Sequence, residues 1–208
     1  MKLQDLTLKQ FLEKTAANEA LPGGGSSSAL NGAIASALTG MMANLTIGKK
    51  NYTDVEGQMR KVVEEMKENR LLFINDIDRD ADAYSLVMEA YKLPKETDEQ
   101  KRLRGEKIQE AMKVASLVPM EVTERAFRMI DTIIDTIRKG NKNALADGMV
   151  GLMACRSAIM GTLFNLRINL SGINDPVFVE ELSEKCNWIE KETLAKEREM
   201  IEWMKSVI

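Results

Sequence analysis

From Gly23 to Gly48 the chain carries no charged residue. A stretch of that length either crosses a membrane or is buried inside protein, so it constrains the fold more than any other feature. Its apolar residues are diluted by Gly, Ser, Thr, Asn31 and Asn44, few Leu or Phe occupy it, and no aromatic belt flanks it. Those are the marks of a helix buried in protein, and no membrane partner is expected. Gly32, Ser36 and Gly40 recur at four-residue spacing, which places them on one helical face where another backbone can approach closely. Ala144 to Leu170 has the same character. Its only charges are Asp147, Arg156 and Arg167, and Gly148, Gly151, Cys155 and Ala158 form a second small-residue face. The two are expected to pack together.

The rest of the chain is helical in period. Thr7-Leu8-Lys9-Gln10 has capping-box spacing with Leu6 placed as a hydrophobic staple, so a first helix is expected from Thr7 to about Asn18. A stripe of Val55, Met59, Val62, Met66, Phe73, Ile77, Tyr84, Met88 and Tyr91 predicts a long helix from about Asp54 to Tyr91. Further helices are expected from about Asp98 to Leu117, from Pro119 to about Gly140, from Ala144 to Leu170 after a cap at Asn141 or Asn143, and through Phe178, Leu182, Cys186, Ile189, Ile201 and Met204. The four prolines fall between or at the starts of these segments, and no alternating strand pattern occurs. The expected fold is all-α: a single-domain bundle of six or seven helices spanning residues 1–208, with long antiparallel helices.

Composition narrows the chemistry. Lys and Arg number 29 against 32 acidic residues, a net charge of −3, so the basic footprint of a nucleic-acid binder is missing. Histidine is absent. That removes Ser-His-Asp and Cys-His catalysis and His-bearing zinc sites, leaving proton transfer to carboxylates, Lys, Tyr, Cys or water. No metal site is expected. Cys155 and Cys186 both lie in helical patterns, and the N-terminus lacks a signal-peptide apolar region, which points to free thiols in a reducing cytoplasm.

Four features are candidates for a site. The loop Pro22-Gly23-Gly24-Gly25-Ser26-Ser27-Ser28 opens a helix, where free N–H groups and the helix dipole suit a carboxylate or phosphate; it also reads as a flexible turn with a serine cap. Lys49 and Lys50 follow the uncharged helix, as dipole partners or as contacts for an anionic ligand tail. In the run Asp76, Asp78, Asp80 and Asp82, Asp78 and Asp82 fall opposite the apolar stripe and are expected in solvent. Asp80 falls inside it, between Ile77 and Tyr84. Burial there would raise its pKa toward the range a proton-transfer group needs, unless an arginine or backbone group neutralises it. Asn165 and Asn169 present two amides on one face of an otherwise apolar helix, fit for a flat heterocycle or for helix–helix bonds, with Asp147 and Arg156 as further polar groups. The methionines are core filler or a thioether-lined slot.

L-P-G-G-G-S-S-S-A-L, L-T-I-G-K-K-N-Y, D-x-D-A-x-A-Y followed by L-P-K-E-T, G-N-x-x-A-x-x-D and F-N-x-R-I-N-L together resemble, in order and spacing, the formiminotetrahydrofolate cyclodeaminase/methenyltetrahydrofolate cyclohydrolase family over about residues 5–205. Ser26–Ser28 stand where small residues such as alanine are common, and Tyr84 stands where Phe is usual. The resemblance implies a homodimer, a folate cleft between or within subunits, no cofactor beyond the tetrahydrofolate substrate, and a catalytic aspartate matching Asp80. It implies hydrolysis of 5,10-methenyltetrahydrofolate, or alternatively loss of ammonia from 5-formiminotetrahydrofolate. In either case Gly23, Gly24, Gly25, Ser26, Lys49 and Lys50 are expected to meet the glutamate tail, and Asp147, Asn165 and Asn169 the pterin. No formiminotransferase segment accompanies the motifs, which favours the cyclohydrolase. A non-catalytic helical adaptor is the reading from another class; it would use the small-residue faces for dimer packing and would bind no folate.

Overall fold

A computed structural model describes residues 2–207, and among them there are six α-helices and no strand. They are α1 (Leu8–Thr15), α2 (Gly24–Thr46), α3 (Glu56–Tyr91), α4 (Asp98–Lys139), α5 (Leu145–Leu170) and α6 (Pro176–Val207), with 3-10 turns at Leu3–Asp5, Lys50–Val55 and Lys142–Ala144. The capping box forms as expected: Gln10 N–H donates to Thr7 Oγ1 at 3.3 Å and Gln10 Oε1 accepts from Thr7 N–H at 2.9 Å. Leu6 and Phe11 pack with Ala29 and Ile77, which makes the staple. α1 stops at Thr15, short of the expected Asn18. A second capping box, Thr97 with Gln100, starts α4.

α2 is the central element, packed by α3 and α5 along its length and touched by α4. The seam of Gly32 and Gly40 faces α3 and not α5 as expected: a Cβ on Gly32 would lie 2.6 Å from the Phe73 ring, and one on Gly40 3.5 Å from Met66 Cβ. The α5 glycines face α2 from the other side, Gly148 against Met42, Gly151 against Leu38 and Gly161 against Ser28, so the two helices are antiparallel. Met42, Met59, Met66, Met129, Ile130, Ile133, Leu152, Ile159, Leu163 and Leu166 fill the core. The span Lys142–Leu170 is long and apolar enough to cross a membrane, and more than half of its most apolar window is buried against the other helices, as in a core helix.

Two expectations are corrected. The segments on either side of Pro119 are one helix, Asp98–Lys139. Proline removes the N–H that would bond the Ala115 carbonyl and ordinarily kinks or ends a helix. Here Asn169 Nδ2 donates to the Ala115 carbonyl at 2.7 Å, so the acceptor left over is satisfied from α5. Secondly, the α3 stripe stays buried only as far as Ile77; Tyr84, Met88 and Tyr91 are 40–47% exposed, and the buried line passes through Ala83 and Ala90.

Candidate active site

α2 begins beside the middle of α3, and the junction is a close one. A Cβ on Gly25 would stand 1.9 Å from Asp80 Oδ1, so no other residue admits that carboxylate. Gly24, Gly25 and Ser26 supply the N–H groups of the first helical turn, which have no partner within α2. The anion beside this turn is Asp80 itself, which accepts from the Ser26 N–H. Asn165 Nδ2 donates to Asp80 Oδ1 from α5 at 3.2 Å. Ser26, whose hydroxyl donates to the Ile77 carbonyl at 2.8 Å, pins α2 to α3 one turn before Asp80.

Asp80 forms no ion pair among the described residues. Burial pushes its carboxyl above the ordinary carboxylate value, and the Ser26 backbone N–H and hydroxyl beside it pull it part of the way back. Since that hydroxyl proton is committed to Ile77, the backbone N–H is the steadier donor.

The carboxylate faces a cavity of about 270 Å³ lined by Gly23, Gly24, Gly25, Ala83, Tyr84, Val87, Met112, Ala115, Asn165 and Asn169 among others, with Asp80 the only charged residue in the lining among the described residues. Met112 supplies the thioether wall. Asn165 and Asn169 both reach this cavity, but each amide N–H₂ already donates within the protein, to Asp80 and to Ala115. Their carbonyl oxygens are what remain for a ligand.

Lys49, Lys50 and Asp147 lie elsewhere. Lys49 and Lys50 are exposed beyond the C-terminal end of α2, roughly 33 Å from Gly24 along the helix. Asp147 is in the first turn of α5, roughly 27 Å along that helix from Asn165. This corrects the expectation that the glycine loop and the lysines meet one tail, and that Asp147 joins the two asparagines: within one protomer these groups stand at opposite ends of α2 and α5. Arg156 is held near Glu197 of α6 at 3.3 Å, and Arg167 ion-pairs with Glu190 at 2.5 Å, so neither serves Asp80 or Asp147. Asp82 is exposed as expected. Asp78 is half-buried and accepts the Leu3 N–H at 2.7 Å, fastening the N-terminal segment. Asp76, to which the sequence assigned no role, is 1% exposed and ion-paired with both Arg79 and Arg125. Its signal would have been Arg125, nearly two α4 turns beyond the buried Pro119, which only the packing of α3 on α4 brings close. Among the described residues no cluster of His, Cys, Asp or Glu could hold a metal ion.

An unpaired, partly buried carboxyl group at a helix N-terminus, opening on a cleft with apolar walls and amide oxygens, can exchange a proton with a flat polar ligand; the fold defines an all-helical protein with a carboxylate-centred cleft. The profile of the formiminotransferase-cyclodeaminase family matches residues 7–188. The chain is 35% identical over 202 residues to a methenyltetrahydrofolate cyclohydrolase of Methylorubrum extorquens, covering 97% of each chain. It is 31% identical to the mouse formimidoyltransferase-cyclodeaminase, of which it spans 33%. The crystal structure of a formiminotetrahydrofolate cyclodeaminase from Thermotoga maritima superposes with a TM-score of 0.84 at 30% identity, covering 98% of this chain and 99% of that one. The chain belongs to the formiminotransferase-cyclodeaminase family.

Proposed function

We propose that the chain is a tetrahydrofolate one-carbon enzyme, a methenyltetrahydrofolate cyclohydrolase, with Asp80 as its proton-transfer group. The observation that carries this is the setting of Asp80: no cation among the described residues neutralises it, and burial holds its carboxyl above the usual range while its open side faces the cavity. The ionised carboxylate takes a proton from water as the water oxygen adds to the methenyl carbon. The bond from that carbon to N5 then breaks as the added hydroxyl becomes the formyl carbonyl and releases its remaining proton to solvent, N5 receives the proton held by Asp80, and 10-formyltetrahydrofolate forms. The high identity along nearly the full length of both chains to a protein named for that reaction supports this choice.

The names of the mouse and Thermotoga relatives favour the second reading, in which N10 attacks the formimino carbon and Asp80 carries the proton from that nitrogen to the departing ammonia. Both use one cleft. The pterin is placed against the oxygens of Asn165 and Asn169, and no cofactor beyond the folate is invoked. The apolar outer face of α2 and α5 supports a homodimer, and two free buried thiols, with burial pushing that of Cys155 up to about 12, suit a reducing cytoplasm. Loss of methenyl absorbance is followed beside formimino conversion. Faster methenyl hydrolysis supports the first reading, faster ammonia release the second, and failure of both together with no binding of folinic acid would leave the adaptor.

A further inference from the structure

Among the described residues the Asp80 carboxylate receives one side-chain proton, and Asn165 gives it: Nδ2 donates to Oδ1 at 3.2 Å. The Ser26 hydroxyl nearby already donates to the Ile77 carbonyl at 2.8 Å. Asn165 is half-buried, on a stretch of α5 that is fixed on both sides of it. One turn earlier, a Cβ on Gly161 would lie 2.1 Å from Ser28 Oγ, so α5 comes close to the start of α2 there. Thr162 shares a hydroxyl contact of 2.6 Å with Thr123 of α4, and one turn after Asn165, Asn169 donates to the Ala115 carbonyl of α4 at 2.7 Å. With the backbone held in this way, the amide of Asn165 has two orientations. Turned over, it would set Oδ1 against an ionised carboxylate, acceptor against acceptor. As it stands, the N–H₂ serves Asp80 and the carbonyl oxygen is left over.

We infer that Asn165 is the positioning residue of the reaction: its N–H on Oδ1 fixes the plane of the Asp80 carboxylate and leaves Oδ2 as the oxygen that takes the proton from water and passes it to N5. The chemistry of the donor suits that task. Lys or Arg in its place would hold the carboxylate ionised too firmly for it to take up a proton, and an apolar side chain would leave the desolvated group protonated and free to turn. A neutral amide favours the ionised form at modest strength and brings no charge of its own. Among the described residues no charge competes with it. Gly23 to Gly48, which includes all of α2, carries none, and in the loop before it Glu19 is paired with Lys14. On α3 the titratable neighbours are Tyr84, in the cavity lining, and Asp76, held by Arg79 and by Arg125 of α4, while Asp78 is fastened to the Leu3 N–H and Asp82 is exposed. On α5, Arg167 is paired with Glu190. The inference rests on the proposed reaction for the step that it serves, and the pairing is tested without that step.

Asn165→Leu removes the donor and keeps a branched side chain of similar size. Losing a hydrogen bond to the ionised form favours the protonated one, so the acid limb of the kcat profile should move up by about one pH unit. The plateau above that limb should fall about tenfold or more, because the carboxylate is no longer held in one plane. Asn165→Ala, which adds no bulk where α5 meets α3, should move both readouts in the same direction. A residue that only binds the ligand would raise KM and leave limb and plateau in place; one that only holds α5 to α3 would lower the melting temperature and leave them in place too. Either result overturns the inference. The pairing itself is read with no substrate present. In full-length protein labelled with 13C at the aspartate carboxyls, the Asp80 signal, assigned by its loss in Asp80→Asn, should titrate about one pH unit higher in Asn165→Leu than in wild type, and higher in Asn165→Ala as well. A midpoint that moves in neither variant overturns the inference, whatever the protein turns over. A wild-type protein inert on both substrates, with the midpoint shifted in the variants, counts against the proposed reaction and leaves Asn165 as the group that governs Asp80.

Discussion

Asp76 and Asp80 stand one helical turn apart on α3 and have opposite surroundings. Asp76 is buried and shared between Arg79 and Arg125, with Arg79 reaching on to Glu121 at 2.5 Å and Arg125 lying over the Phe73 ring. Asp80 is half-buried, has no cation beside it among the described residues, and is met by glycine, a backbone N–H and one amide. A carboxylate that is buried with one arginine on each oxygen holds α3 to α4 and presents neither oxygen to a ligand. One that is desolvated without a counter-charge costs stability and keeps an oxygen free. The difference between the two turns is that between a structural and a reactive acid.

Asp80→Asn is the sharpest way to break that comparison. Turnover should fall about 10²–10⁴-fold with folate binding retained. The acid limb of the wild-type pH profile, which marks loss of the ionised form above the ordinary carboxylate range, should vanish. Stability should move the other way. Because the folded carboxyl binds its proton more tightly than the unfolded one, stability falls as pH rises from about 3.9, the unfolded value, through the raised folded value. Asparagine carries no such penalty, so the variant should melt above wild type at pH 7 and lose its advantage below about pH 4. A kcat within a few-fold of wild type would end the assignment of Asp80.

Asp76→Ala should show the reverse pattern. It leaves Arg125, 15% exposed, without its partner, a loss of about 3–5 kcal/mol for a broken buried pair, read by urea unfolding, with kcat per folded molecule nearly unchanged. A large fall in kcat at full stability would make Asp76 the reactive acid. Asn169→Leu asks a smaller question on α5. It strips the Ala115 carbonyl of its donor at Pro119, so about 1–3 kcal/mol of stability should be lost; a rise in KM alone would show instead that the side chain serves mainly the ligand. Asp82→Asn, on the exposed side of the same α3 turn, should change stability by less than about 0.5 kcal/mol and leave turnover as it was.

Much of the fold was legible because its causes are local. The capping box at Thr7, the start of α4 near Asp98, the ends of α3 and α5, and the position of Asp80 within a 3.6-residue stripe all follow from neighbours a few residues apart. Pro119 misled for a tertiary reason: whether a proline ends a helix depends on what satisfies the carbonyl four residues earlier, and here the donor comes from Asn169, far along the chain. The same amide spacing that suggested a ligand platform at Asn165 and Asn169 serves Asp80 and Ala115 first.

The sequence by itself determined that the chain is helical, that one uncharged helix and one nearly uncharged helix lie inside, and that proton transfer is left to groups other than histidine, because periodicity, charge and residue type are properties of short stretches. Only the tertiary structure decided that Gly25 is there to admit Asp80, that Asp76 is tied to two arginines, and that Lys49, Lys50 and Asp147 stand a full helix away from the cavity. Those depend on which face of α2 meets α3 and which meets α5, and on the 1.5 Å rise that turns a short separation in motif order into a long one in space.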